Sequence, residues 1–268
     1  MSASVPARER SAKFNRIQDA ALRIEEAVVC IARAIFMEGG TLVFGAHPSI
    51  SPLVARVTDY YYQPPPAEES FHRETSWLNP SVEIYQSKVW REHWAASTER
   101  LTRHPLVKVY WIESDQNEHI DPDEWQRPQA PISMKKMRRK MIEETSPIAM
   151  IAIGGMEGVI EEARIFHECF PNRNIFTFKT TGGAASMLDQ TDGLKESVIP
   201  IDEEAKELVR RFWNDVNQRS NESRDVQNRE PRQENEYYIP YAHLAQKIVT
   251  TIMNKQDPNA EHSSFNAF

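Results

Sequence analysis

Short apolar runs alternate along the chain with longer amphipathic stretches. The runs Thr41–Phe44, Val82–Tyr85, Val107–Ile112, Ile148–Ile153 and Ile175–Phe178 are four to six residues long and rich in β-branched and aromatic residues. Runs of that length and content predict buried strands. Between them the apolar positions fall at helical spacing. Ile17, Ala21, Ile24, Val28, Ile31 and Ile35 form one stripe, which predicts a long helix over Lys13–Glu38 ended by Gly39-Gly40. Ile17, Ile24 and Ile31 are expected to face either the sheet of this chain or a twofold partner. Met134, Met137 and Met141 mark the core face of a basic helix over Ser133–Glu144. Val159, Ala163 and Phe166 mark another helix, and Leu244, Ile248 and Ile252 a last one over Tyr237–Asn254. Lys88–Leu101 reads as a helix whose Trp90 and Trp94 serve the core rather than a stacking platform. Asp202–Val216, with Leu208, Val209, Phe212 and Trp213, reads as an amphipathic helix. Strand-then-helix order of this kind predicts an α/β fold with a doubly wound, mainly parallel sheet of five strands or slightly more. Helices should cover both faces, with added N- and C-terminal helices.

The polar stretches set the expected boundaries. Residues 1–12 read as a loose N-terminus, 13–216 as the folded unit, 217–236 as a mobile linker nearly free of apolar residues, and 237–268 as a helix and tail. Gln63–Asn79, with Pro64-Pro65-Pro66, reads as a flap, and Ser114–Pro131 as a surface loop. Composition then narrows the setting. The 268 residues are 40% hydrophobic, enough for a sizeable core. The net charge of −7 argues against a general nucleic-acid surface. No apolar run approaches a membrane span, and the opening MSASVPARERSAKF has no apolar core of a signal peptide. Cys30 and Cys169 lie in predicted helices without metal spacing, so a reduced cytoplasm is the simplest setting, with no metal and no cofactor.

The chemistry concentrates at three strand-to-helix junctions. After Ile148–Ile153 come Gly154, Gly155, Met156, Glu157 and Gly158, then a helix start. A glycine turn there offers backbone N–H groups at the positive end of a helix dipole, the arrangement of an anion cradle. Glu157, Glu161 and Glu162 suit ribose hydroxyls or chemistry at a sugar carbon better than a bare phosphate grip. After Thr41–Phe44 come Gly45, Ala46, His47, Pro48 and Ser49; Ser49 or Ser51 can cap the next helix, with Pro52 in its first turn. His47 is the titratable group of that loop, and its plainer role is to hydrogen-bond the backbone. After Ile175–Phe178 come Thr181, Gly182, Gly183 and Ala184. Each junction alone is equally an ordinary tight turn. Three opening on the C-terminal edge of one sheet favour a nucleotide-sized site.

The segments FGAHPSISPLV, SMKKMRR, AIGGMEGVIEE and TTGGAA, in this order from Thr41 to Ala185, resemble the SLOG superfamily. That group gathers the Smf DNA-processing proteins, the "lonely guy" phosphoribohydrolases and nucleotide-sensor domains. The closest likeness is to prokaryotic members akin to the sensor domain of TRP-melastatin channels. The resemblance implies a Rossmann-like sheet that binds nucleotides or nucleotide-derived molecules, ADP-ribose-type ligands among them. Gly154, Gly155, Gly158 and Glu162 match the phosphoribohydrolase motif, and Arg138 matches its upstream arginine. Ile153 stands in place of the motif's proline, Val159 in place of its threonine, and one extra residue separates the glycine pair from Gly158.

Two functions follow. One is a sensor of a nucleotide-derived signal, in a bacterial defence or signalling system, with output through a homo-oligomer or a separate effector protein. In it the loops at Gly45–Ser49 and Thr181–Ala184 hold phosphates, Glu157 or Glu162 takes ribose hydroxyls, and Arg138 pairs with an anion. The other is an N-glycosidic hydrolase in which Glu162 stabilises an oxocarbenium-like state and Arg138 positions the phosphate.

Overall fold

The five apolar runs all form strands, and every strand pairing is parallel. The structure is a computed structural model. It describes residues 1–6, 12–14, 17, 19–61, 82–121, 123, 129–203, 205, 211 and 239–256. The expected flap over Gln63–Asn79, the linker 217–236 and most of the helix expected over Asp202–Val216 lie outside those residues.

The strands separate into two hydrogen-bonded sheets rather than one sheet of five. β2 (Leu42–Phe44), β3 (Val82–Ser87) and β4 (Val107–Ile112) form a three-stranded sheet in the order β2-β3-β4. β1 (Ser2–Ser4), β5 (Met150–Gly154), β6 (Ile175–Phe178) and β7 (Val198–Pro200) form a four-stranded sheet in the order β1-β5-β6-β7. β1 and β7 carry no sequence signal, because three residues are too few to show a period. β1 corrects the expected loose N-terminus: Ser2 and Ser4 are buried, with Ser4 in register with Gly154. β1 also joins the two sheets. The Met1 nitrogen donates to the Val43 carbonyl (2.6 Å), and the Val5 amide donates to Ser49 Oγ (3.2 Å). Both bonds tie the N-terminal segment to β2 and to the loop that follows it, and the Gly155 N–H after β5 donates to the Ser4 carbonyl of the same segment. The C-terminal ends of both sheets therefore share one edge.

Helices cover both faces. On one, α1 (Ala20–Met37) packs against α2 (Ser51–Tyr61) and the C-terminal helix, and these bury a shared cluster with Leu101 of α3 (Ala96–Thr102). On the other, α4 (Pro131–Thr145) packs against α5 (Glu157–Cys169), burying Met137, Met141, Val159 and Phe166. The C-terminal helix α6 spans Tyr241–Gln256. In α1, Ile24 and Ile31 are fully buried within this chain. Burying such an aliphatic side chain contributes about 1.5–3 kcal/mol, which is why the stripe decides where the helix lies.

Two helix boundaries differ from the sequence reading. α1 begins at Ala20, not Lys13, because Asp19 takes a left-handed conformation (φ 59°) that a continuing helix cannot contain. Ala12–Phe14 form a separate 3-10 turn. Lys88–Leu101 is not one helix either. Lys88–Trp90 form a 3-10 turn whose Val89 N–H donates to Ser87 Oγ, and α3 starts only at Ala96. Trp94 thus lies in the connection between them.

Candidate functional site

The predicted glycine junctions meet at the shared C-terminal edge, joined through the end of β1. The Gly155 N–H donates to the Ser4 carbonyl (2.7 Å), and the Val5 N–H reaches Ser49 in the loop after β2. The Gly154 N–H donates to Thr181 Oγ1 (2.9 Å), and the Ala184 N–H to the Gly155 carbonyl (2.9 Å). The loops after β5 and β6 are in backbone contact. A Cβ on Gly183 would stand 2.5 Å from the Gly155 carbonyl oxygen and 2.7 Å from the Gly154 carbonyl carbon. Gly183 (φ 60°, ψ −151°) and Gly182 (φ 68°, ψ −153°) occupy a region essentially restricted to glycine.

This packing corrects the expected cradle of bare amides. The N–H groups of Gly154, Gly155 and Ala184 are all donated within the protein, and that of Gly182 goes to the Lys179 carbonyl (3.0 Å). In the loop after β2 the Ser49 N–H goes to His47 Nδ1 (3.3 Å), and that nitrogen also shares a hydrogen bond with Ser49 Oγ (2.8 Å). His47 therefore shapes its loop, as the plainer reading of it expects. Pro48 is exposed, whereas Ala46 is buried in a left-handed conformation (φ 52°). At the start of α5, Met156 provides no side-chain cap. Helix geometry leaves the Glu157 and Gly158 amides there without an intrahelical acceptor. Lys13 pairs with Glu157 at 3.4 Å, both side chains being half or more exposed, so this contact adds little.

Arg138 and Glu162, the pair the resemblance singled out, do come together. Arg138 Nε donates to Glu162 Oε1 (3.2 Å) and its Nη1 donates to Glu161. The guanidinium lies over Gly158, where a Cβ would be 2.7 Å from Nη2. The missing side chain of Gly158 is what lets α4 and α5 share this pair. The Arg138 and Glu162 side chains are only 16% and 13% exposed. Glu162 also lines a cavity of about 30 Å³ with Met1, Val43, Met141 and Phe166. That is room for water and not for a sugar.

One group escaped the sequence reading. Asp202, just after β7, is fully buried and accepts from the Lys179 N–H (2.9 Å), the Thr180 N–H (2.7 Å) and Thr180 Oγ1. Thr180 Oγ1 shares a hydrogen bond with the Tyr241 hydroxyl of α6 (2.9 Å). Burial pushes the Asp202 carboxyl above its ordinary range and the Tyr241 phenol up to about 12. The base of the loop after β6 is thus organised around an anion the protein supplies itself. An aspartate after an apolar triplet gives no sequence signal for this.

The family model of the SLOG cluster3 family matches residues 14–211. The chain belongs to the SLOG cluster3 family. No curated protein and no solved structure matches it. SLOG membership suggests a nucleotide-related Rossmannoid function without naming a ligand, and the parallel α/β fold agrees with it. β1 lies outside the matched range, although it joins the loops that lie inside it. Among the described residues, no group of three or more histidine, cysteine, aspartate or glutamate side chains is placed to hold a metal. No described helix is long and apolar enough to cross a membrane.

Proposed function

We propose that this SLOG protein is a sensor module for a nucleotide-derived small molecule of the ADP-ribose or NAD-derived type, serving a bacterial defence or signalling system through self-assembly or a separate effector. The observation that carries the reading is the meeting of the Gly45, Gly154 and Gly182 loops on one C-terminal edge in a SLOG chain. Parallel α/β sheets place ligands at that edge. The Gly45–Ser49 loop and the Glu157 and Gly158 amides supply the contacts to the two phosphates of such a ligand, and Glu157 takes ribose hydroxyls. Thr181, Gly182, Gly183 and Ala184 hold the neighbouring loop in shape rather than gripping the anion with free amides.

The N-glycosidic hydrolase reading has one observation in its favour, the Arg138–Glu162 pair. Against it, the Glu162 carboxylate is engaged by Arg138 and is only 13% exposed. A glycosidic carboxylate has to face the sugar carbon instead. Calorimetry against ADP-ribose, its cyclic isomers, NAD and nucleoside monophosphates tests the sensor. Binding of at least one without release of base is expected, and binding of none overturns the reading. Release of base from AMP or NAD that is lost in Glu162→Gln would instead establish the hydrolase.

A further inference from the structure

We infer that the C-terminal edge of the β2-β3-β4 sheet holds a stacking subsite for the base of the ligand, formed by Trp111 and Trp94 with Arg91. The inference rests on the nucleotide reading above and adds which end of the ligand lies where. The strand register carries it. Phe44 is paired with Ile84, and Gln86 with Trp111. Past the end of β2 the Gln86 side chain reaches the Gly45 carbonyl, so the Gly45 loop, Gln86 and Trp111 form one row across the C-terminal end of this sheet. Two inter-strand spacings separate the ends of that row by about 10 Å. One ribose bridges such a gap between a phosphate at the Gly45–Ser49 loop and a planar base at Trp111.

Gln86 fixes the row. Its side chain is buried, its Nε2 donates to the Gly45 carbonyl (3.1 Å), and its Oε1 accepts from the Ser87 N–H (2.8 Å). Paired residues of a parallel sheet point to the same face, so Trp111 stands on the Gln86 side. There its ring meets Trp94, with centroids 4.7 Å apart and planes tilted by 32°. Arg91 lies over the Trp111 ring at 5.7 Å. Both tryptophans are only partly buried. Trp94 Nε1 is buried and, among the described residues, has no acceptor. That donor is sealed inside the packing of the pair, so the ring faces and not the N–H are what the edge offers a ligand. Trp90 serves as the contrast: its Nε1 donates to Met134 Sδ (3.1 Å), so its polar group is already met on the α4 side. Indole stacking below an exposed guanidinium accepts any flat base, because every base offers a π-face.

The test compares ADP-ribose, which carries a base, with ribose 5-phosphate, which does not, by calorimetry on the full chain. Trp111→Leu is expected to weaken ADP-ribose roughly five- to hundredfold, the range carried by loss of one base–aromatic stack. Ribose 5-phosphate should bind wild type and variant alike, and Trp90→Phe should leave both ligands unchanged. Trp111→Phe, which keeps a ring on the edge strand, should retain most of the ADP-ribose affinity and covers the case that Trp111→Leu does not fold. Tryptophan emission gives a second readout, with ADP-ribose expected to quench it and ribose 5-phosphate to leave it unmoved. Equal loss of both ligands in Trp111→Leu, or no loss of ADP-ribose, overturns the subsite alone. Failure of wild type to bind ribose 5-phosphate or any ligand of the calorimetric panel above overturns the sensor reading and the subsite with it.

Discussion

The two halves of the C-terminal edge are built on opposite plans. Around β1, β5 and β6 the loops are closed on one another: their amides are donated internally, glycine backbone rests on glycine backbone, and Asp202 occupies the base of the loop after β6. Around β3 and β4 the edge is open: Trp94 and Trp111 stack at a partly buried position. The closed half explains why the fold has this shape, and the open half leaves aromatic rings at the edge. A glycine-rich junction is thus not by itself a ligand grip. In this chain the glycines first serve the contact between loops.

The largest expected effect comes from breaking that contact. Gly183→Ala places a Cβ 2.5 Å from the Gly155 carbonyl oxygen and 2.9 Å from its nitrogen, in a backbone region that costs a non-glycine residue about 1–3 kcal/mol before any clash. Backbone on both sides cannot move aside as a flexible side chain can. A loss of about 3 kcal/mol or more is expected, which lowers the melting temperature of a chain this size by roughly 6–12 °C. A variant that melts with the wild type would show that the two loops do not touch. Gly158→Ala is the matched control, since the group it meets is the mobile end of Arg138; it should cost far less.

The second effect concerns the internal anion. Asp202→Ala leaves the Lys179 and Thr180 amides without their acceptor, a cost of about 1–3 kcal/mol. Asp202→Asn keeps an acceptor and removes the titration. Burial raises the carboxyl above its unfolded value near 3.8. The folded state therefore holds the proton more tightly, and stability from this group is present below the unfolded value and lost as pH rises through the folded one. Melts of wild type and Asp202→Asn over a pH series should show the difference moving in favour of wild type as pH falls toward the ordinary carboxylate range. Movement in the opposite direction would mean that hydrogen bonding, not burial, governs this group.

What the sequence made legible follows from length and locality. Val107–Ile112 and Ile175–Phe178 were legible as strands because an apolar run of four to six residues is its own signal, and they appear with those bounds. Ser2–Ser4 and Val198–Pro200 were not, since a three-residue strand is made by its neighbours. Ile17 fits the period of α1 yet lies outside it, because a stripe does not report the left-handed turn at Asp19. The junctions were legible as loops from Gly154-Gly155 and Gly182-Gly183. The use of their amides was not, because the acceptors, Ser4 and Thr181, belong to other segments of the chain. The Trp94–Trp111 pair was hidden for the same reason: only the β3–β4 register brings Trp111 beside Gln86 and the Gly45 loop.

The smallest expected effect lies at the hinge between the two halves. Ala46 holds a left-handed conformation in the loop that touches β1 on one side and Gln86 on the other. Ala46→Gly relieves a strain of about 1–2 kcal/mol. It also adds about 0.5–1 kcal/mol of chain entropy to the unfolded state. Ala46 is buried, so the lost methyl removes about 0.8 kcal/mol more. The three terms nearly cancel, and the melting temperature should stay within about 2 °C of wild type. Affinity for ADP-ribose should be equally unmoved, since the backbone path needs no change to accept glycine. A clear loss of affinity at unchanged stability would show that the Ala46 methyl itself touches the ligand, which would place the phosphate deeper in the loop than the row from the Gly45 loop to Trp111 requires.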